Sequence, residues 1–299
     1  MVDSAPFYTN WAIRFSADHQ ALYAPDDDVF DTDSLTLEFW IHFGDVADQG
    51  YICHKGETSN DLDFYVYFDK SAVTWFWFLV YDTSGGAWSI GLRQTDWDAN
   101  SATGWHHFAC VFEYSTSGQM RVLIDGSLVK SVNLGDTTTK ARRHNANSLF
   151  WGDPSVNHNG DWCLDELRMW SVARTDQQIA DNYNKILDTS EAGLIGYWRL
   201  EEGSGDVCVN SKNGNPNLYL NYYNPEWVPV SGLSEEEEAE RAPTRRRRAS
   251  GLVCSGTGDQ VPYDLRKLLI KQARRQQAKP LITPYHRLSG LHPPSLPRR

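Results

Sequence analysis

The chain has 299 residues, a net charge of −11 and an aromatic content of 13%, with 12 Trp and 14 Tyr. So many rings exclude a disordered chain and require a sizeable packed core, within a length that fits one large β domain plus an extra piece or two ordinary domains. Charge is unevenly divided, residues 1–240 holding 14 Lys+Arg against 37 Asp+Glu and residues 241–299 holding 14 against 2, an acidic body with a basic tail.

Two short strands are expected first, at Trp11–Phe15 and Ala21–Ala24. A loop with Asp26, Asp27, Asp28, Asp31 and Asp33 follows; it could hold a cation, but the simpler expectation is a solvated loop. Leu35–Phe43 alternates cleanly. Leu35, Leu37, Phe39, Ile41 and Phe43 should face the core, and Thr36, Glu38, Trp40 and His42 should face water. Tyr51–His54 and Asp63–Asp69 continue the pattern, with Phe64, Val66 and Phe68 opposite Tyr65 and Tyr67. In Thr74–Tyr81 both faces are apolar, Trp75, Trp77, Leu79 and Tyr81 against Phe76, Phe78 and Val80. Such a strand is expected inside a sheet with something over each side. Trp88–Arg93 returns after Gly85-Gly86.

The stretch Trp105–Val132 reads as three strands split by Ser-Thr-Ser-Gly and by Asp125-Gly126, a meander whose second turn suits type I′ geometry. Leu149–Gly152 and Trp162–Trp170 add two strands. Thr175 with Gln178 has the form of a capping box, and Ile179, Tyr183 and Ile186 follow at helical spacing, which predicts a helix over Asp176–Ile186. Leu194–Leu200 is a further strand, and a Gly/Asn-rich loop at Asn210–Asn217 precedes Leu218–Tyr222. About a dozen strands with one short helix predict an all-β, two-sheet antiparallel sandwich.

Composition changes at Glu235. The expected organisation is a β domain at 7–232, a charged linker at 233–262, and a basic helix with a Pro-rich extended tail at 263–299. In that tail, Leu265, Leu268, Leu269 and Ala273 interleave with Lys and Arg, and five prolines follow from Pro280.

Four segments in order carry a family resemblance. Leu35–Trp40, the Trp105-His-His-Phe-Ala and Val122-Leu-Ile-Asp-Gly126 pair, Leu164–Ile179, and Gly196–Gly205 resemble the laminin-G-like, concanavalin A-like jelly rolls of pentraxin-related type, over residues 10–230. The resemblance implies a jelly-roll sandwich that recognises a ligand, a carbohydrate first among the classes, in an extracellular or surface setting. It also implies a structural calcium ion, for which the matching positions are Asp165, Glu201 or Glu202, Asn210 and Asn213. Glu201 and Asn210 replace the family's usual Asp residues. Nothing resembles residues 235–299.

A saccharide binder needs an aromatic plate flanked by polar groups. Glu38, Trp40 and His42 share one strand face, Trp75 and Trp77 could supply a plate, and Trp88, Trp97 and Asp98 are rim candidates. Glycoside hydrolysis is the rival, but the one-strand acid run of jelly-roll glucanases is missing, and Asp165 and Glu166 should point to opposite faces. His106 and His107 should diverge in the same way, with no nucleophile motif near them. The reading is therefore a non-enzymatic recognition or adhesion module.

The alternative is a structural or assembly protein, a component of a particle or fibre, whose basic arm at 235–299 engages neighbouring subunits. Specific nucleic-acid binding is disfavoured by the acidic body. No apolar run of membrane-spanning length occurs, and MVDSAPFYTNW lacks the regions of a signal peptide, so export by another route or action at the site of synthesis is expected. The five Cys form no CxxC pair and suggest neither zinc nor a disulfide framework.

Overall fold

The computed structural model describes residues 10–43, 49–56, 61–69, 72–97, 104–154, 161–221, 223 and 225–230. The expected linker and tail, 233–299, lie outside them. The first strands are β1 (Trp11–Phe15), β2 (Ala21–Ala24), β3 (Leu35–Phe43), β4 (Gln49–Lys55), β5 (Phe64–Asp69) and β6 (Thr74–Tyr81). They are followed by β7 (Ala87–Arg93), β8 (Trp105–Phe112), β9 (Gly118–Ile124), β10 (Ser127–Gly135), β11 (Leu149–Gly152) and β12 (Trp162–Trp170). After the helix α1 (Asp176–Asn182) come β13 (Leu194–Trp198), β14 (Val207–Cys208), β15 (Leu218–Leu220) and β16 (Glu226–Pro229).

These strands form two antiparallel sheets. The first runs β10-β9-β8-β3-β12-β1-β16 with β13 paired to β12, and the second runs β14-β15-β2-β11-β4-β5-β6-β7. Between them lies the aromatic core: Phe39 stacks on Phe108 at 5.7 Å, Phe76 on Phe108 at 5.4 Å, and Trp151 meets Phe39 edge-on at 5.8 Å. The expected inward residues of β3, Leu35 to Phe43 in alternation, all belong to this core. The meander forms as β8, β9 and β10. Asp125 (φ +50°) and Gly126 (φ +74°) take the left-handed values that a type I′ turn requires.

The other face of β3 is not wet, which corrects the sequence expectation. α1 and the segment after it lie over it, so that Ile179 packs with Ala109, Val111 and Leu123, and the Tyr183 ring stacks 6.1 Å from Trp40. Thr175 caps α1 reciprocally with Gln178 as expected, but the helix ends at Asn182 and Ile186 is exposed. Burying Ile179 alone is worth roughly 2 kcal/mol. A Cβ on Gly126 would stand 2.8 Å from the Tyr183 ring, so the turn glycine also gives the end of α1 its seat.

Two bulges break the simple alternation. In β6 the register slips between Thr74 and Phe76, which turns Trp75 inward beside Phe76 and leaves Trp77 outward. Trp75 and Trp77 therefore do not share a face. In β12 the register slips between Asp165 and Arg168, with Glu166 at φ +49°, so the expected opposition of Asp165 and Glu166 does not hold. β6 lies one strand from the sheet edge, and among the described residues its outward side carries a row of half-buried rings rather than a second covering layer.

Candidate functional site

Under α1 the outward face of the first sheet is a buried charge network. Arg174 Nη1 donates to Glu38 Oε1 at 2.6 Å, Arg168 Nη1 stands 3.6 Å from Glu38 Oε2, and His107 Nε2 stands 3.4 Å from the same oxygen. Burial alone would push the Glu38 carboxyl upward, yet His107, Arg174 and Arg168 together hold it down at about 2. Burial also pushes the His107 imidazole below its ordinary value. Next to it, Glu166 accepts from Arg168 at 3.0 Å, from the Tyr197 hydroxyl at 2.6 Å and from Arg199 at 3.3 Å. Each acid is committed to fixed donors.

The residues singled out for a saccharide therefore scatter. Glu38 and Trp40 are fully covered by α1, where the Trp40 indole donates to the Tyr183 carbonyl at 3.2 Å. His42 lies at the far end of β3, its ring 5.7 Å from Trp105. Trp75 is core, with its indole donating to the Trp97 carbonyl at 3.1 Å, and Trp97 caps the core against Trp75, His106 and Phe108. Trp88 packs on Phe112, and Asp98 lies outside the described residues. A covered ring cannot stack on a sugar, which removes Trp40 and Trp75 as plates. Trp77 is the member of the set that faces outward.

Four of the positions matching the family's calcium ligands accept backbone amides. Asp165 Oδ1 accepts from the Glu166 amide at 2.8 Å, and Glu202 Oε1 from the Val209 amide at 2.8 Å. Glu201 accepts from the Asn10 amides at 3.2 and 3.3 Å. Asn210 Oδ1 accepts from the Tyr197 and Lys212 amides at 3.1 and 2.9 Å, while Asn213 sits exposed in a turn. Among the described residues, Asp165, Glu201 and Glu202 do not bring their ligand atoms within coordination reach of one another. A calcium shell needs six to eight oxygens, of which these positions would supply a part.

The second sheet presents a different surface. In β4, β5 and β6 the register sets Tyr51 opposite Tyr67 and Tyr67 opposite Trp77, a half-buried row crossing three strands. Tyr51 and Tyr67 touch edge-on at 5.1 Å, over a floor made of Leu62, Tyr65 and Leu79. Trp77 lies against Gly91, its partner on β7, where a Cβ would come within 3.0 Å of the ring. The glycine lets the indole lie down across the sheet and present a face. Further along, His54 stacks on Phe150 at 5.0 Å, and Tyr23 lies between Phe150 and Tyr219 at 6.5 and 5.8 Å. Asp153, buried, takes the Tyr51 amide at 3.1 Å and adds a carboxylate at the row's foot.

Of these residues, alternation in Phe64–Asp69 already set Tyr65 and Tyr67 outward. Tyr51, Phe150 and Tyr23 carry no such local signal, because the place of their strands in the sheet depends on distant pairing.

A two-sheet antiparallel jelly roll with one capped helix on the first sheet and an aromatic outer face on the second defines the class. The chain belongs to the concanavalin A-like lectin/glucanase superfamily, whose family model matches residues 16–180. Among solved structures it is similar to a candidate carbohydrate binding protein from Bacteroides ovatus, at 17% identity and a TM-score of 0.53, over 74% of this chain and 60% of that one. It is also similar to a heptameric SAP-like pentraxin from Limulus polyphemus, at 14% identity and a TM-score of 0.48, over 76% and 96%. A third is the binding domain of a serotype D/C botulinum neurotoxin, at 13% identity and a TM-score of 0.46, over 60% and 44%. The chain thus spans less than two thirds of the first and third of these proteins. Comparison with curated protein sequences gives no match. Among the described residues no helix is long and apolar enough to cross a membrane.

Proposed function

We propose that the protein is a non-enzymatic carbohydrate-binding module and that the outer face of its second sheet is the binding surface. The observation that carries this is the row Trp77–Tyr67–Tyr51: three adjacent rings held in register, partly buried and facing outward, with phenol hydroxyls along them. Sugars offer apolar ring faces to such plates and hydroxyl rims to such donors. Burial raises the Tyr51, Tyr65 and Tyr81 hydroxyls and pushes Tyr67 up to about 12, so all four stay protonated donors at neutral pH.

Binding without turnover is supported by the carboxyls whose proton affinity departs from the ordinary range. Among the described residues these are Glu38, Asp82, Asp96 and Asp188, all lowered, the opposite direction from a glycosidase's general acid. The acidic body favours a neutral glycan over a sulfated or carboxylated one. That the superfamily and the Bacteroides ovatus protein are named for carbohydrate binding agrees with this reading. A glycan array probed with the full-length chain tests it: retention on neutral oligosaccharides supports the reading, and an array blank for neutral glycans removes it.

A further inference from the structure

The aspartates of the 26–33 loop play no part in the surface just described, yet the structure gathers one of them with two groups from distant parts of the chain. Asp31 follows a short 3-10 turn at Asp28–Phe30, Asp63 precedes β5, and His144 lies ahead of β11. His144 Nδ1 stands 3.7 Å from Asp31 Oδ1 and 3.7 Å from Asp63 Oδ2, and the three residues each bring one ligand atom within 4.8 Å of the other two. A point within about 2.8 Å of all three such atoms then exists. Zinc–nitrogen and zinc–oxygen bonds run at about 2.0 to 2.2 Å, so a contraction of less than about 1 Å would close the site.

A second observation points into the same space. Asp63 is fully buried and its Oδ2 accepts no hydrogen bond, a costly state for a carboxylate oxygen. Its Oδ1 is taken by Arg142 Nε at 3.1 Å, which leaves Oδ2 for the side of His144. Lys55, also fully buried, joins Asp26 at 2.9 Å, Asp31 Oδ1 at 3.2 Å and the Asn145 carbonyl. Two permanent cations thus face three carboxylates, and exposed Asp27, Asp28 and Asp33 share the loop. The local balance is negative, and Asp31 Oδ1 keeps a second lone pair beside the one that Lys55 uses.

We propose that Asp31, Asp63 and His144 bind a divalent transition-metal ion of the zinc class. One imidazole nitrogen and two carboxylate oxygens suit zinc or cobalt, whereas calcium would want a fuller set of oxygens. Three protein ligands leave a fourth position for water. The ion would tie the acidic loop to the start of β5 and to the segment before β11, bracing one end of the sandwich.

The test uses the full-length chain, stripped with EDTA, titrated with zinc by calorimetry and with cobalt by visible absorption. One saturable equivalent, a cobalt d–d band and a raised melting temperature are expected. His144→Ala and Asp31→Asn should each weaken uptake by at least about tenfold and abolish the melting shift, while His292→Ala in the tail should change neither. Asp31→Asn sits on a partly exposed loop and covers the case in which His144→Ala misfolds. Wild-type protein that takes up no zinc, or both variants taking it up as wild type does, would overturn the proposal.

Discussion

Replacing Glu38 by Gln keeps the side chain's size and removes the charge on which the helix-covered face is built. Arg174 at 2.6 Å and Arg168 at 3.6 Å are buried with it, so the substitution leaves cationic groups without their counter-charge. The magnitude follows from the proton affinity. The carboxyl is held at about 2 against an ordinary 4.5, and each unit is worth about 1.36 kcal/mol, which gives about 3 kcal/mol for a fully buried group. A lowered folded-state value means that this stability is fully present above about pH 4.5 and disappears as the pH falls toward 2. His107, lowered by burial and partly held up by Glu38, costs stability as the pH falls through its unfolded value, and costs more in the variant that lacks the Glu38 charge. Urea denaturation at neutral pH should therefore show Glu38→Gln less stable by about 3 to 5 kcal/mol. Repeated at successively lower pH, the gap should shrink below about pH 4.5 and nearly vanish near pH 2. Equal stability at neutral pH, or a gap that persists undiminished near pH 2, would refute the reasoning.

Gly126→Ala combines a φ of +74° with a Cβ pressed 2.8 Å from the Tyr183 ring, so chemical denaturation should register a loss of about 1 to 3 kcal/mol. Millimolar calcium added to EDTA-treated protein should leave the melting temperature unchanged, because Asp165, Glu201, Glu202 and Asn210 each already accept a backbone amide. Glycan affinity should be flat from about pH 6 to about pH 9, since Tyr67 is raised to about 12 and its neighbours Tyr51 and Tyr65 are raised too; a fall across that window by titration would place an ionising group in the site.

The architecture was legible because its signals are local. Strict alternation in Leu35–Phe43, the Asp125-Gly126 turn and the Thr175–Gln178 capping box each specify an element without help from the rest of the chain, and each formed where expected. What alternation does not record is a bulge. One extra residue in β6 moved Trp75 inside, and one in β12 put Glu166 at a left-handed position among arginines. Nor does it show what lies over a face. The outward set of β3 reads as polar, with Thr36, Glu38 and His42, but the matching positions of β8 and β9 are Ala109, Val111 and Leu123, an apolar patch that needs a cover. The aromatic row of the second sheet was half visible, in Tyr65, Tyr67 and Trp77. Its other members come from strands brought alongside only by long-range pairing, which no local pattern encodes.

The proposed binding surface is the ring row of the second sheet, in contrast to the covered face of the first. Titration of an array-selected neutral oligosaccharide into wild type, Trp77→Ala and Tyr67→Ala tests it most directly, with circular dichroism confirming that each variant keeps its strands. Each substitution should weaken binding by at least about tenfold, a loss of about 1.4 kcal/mol or more. Undiminished affinity in both folded variants would contradict the account.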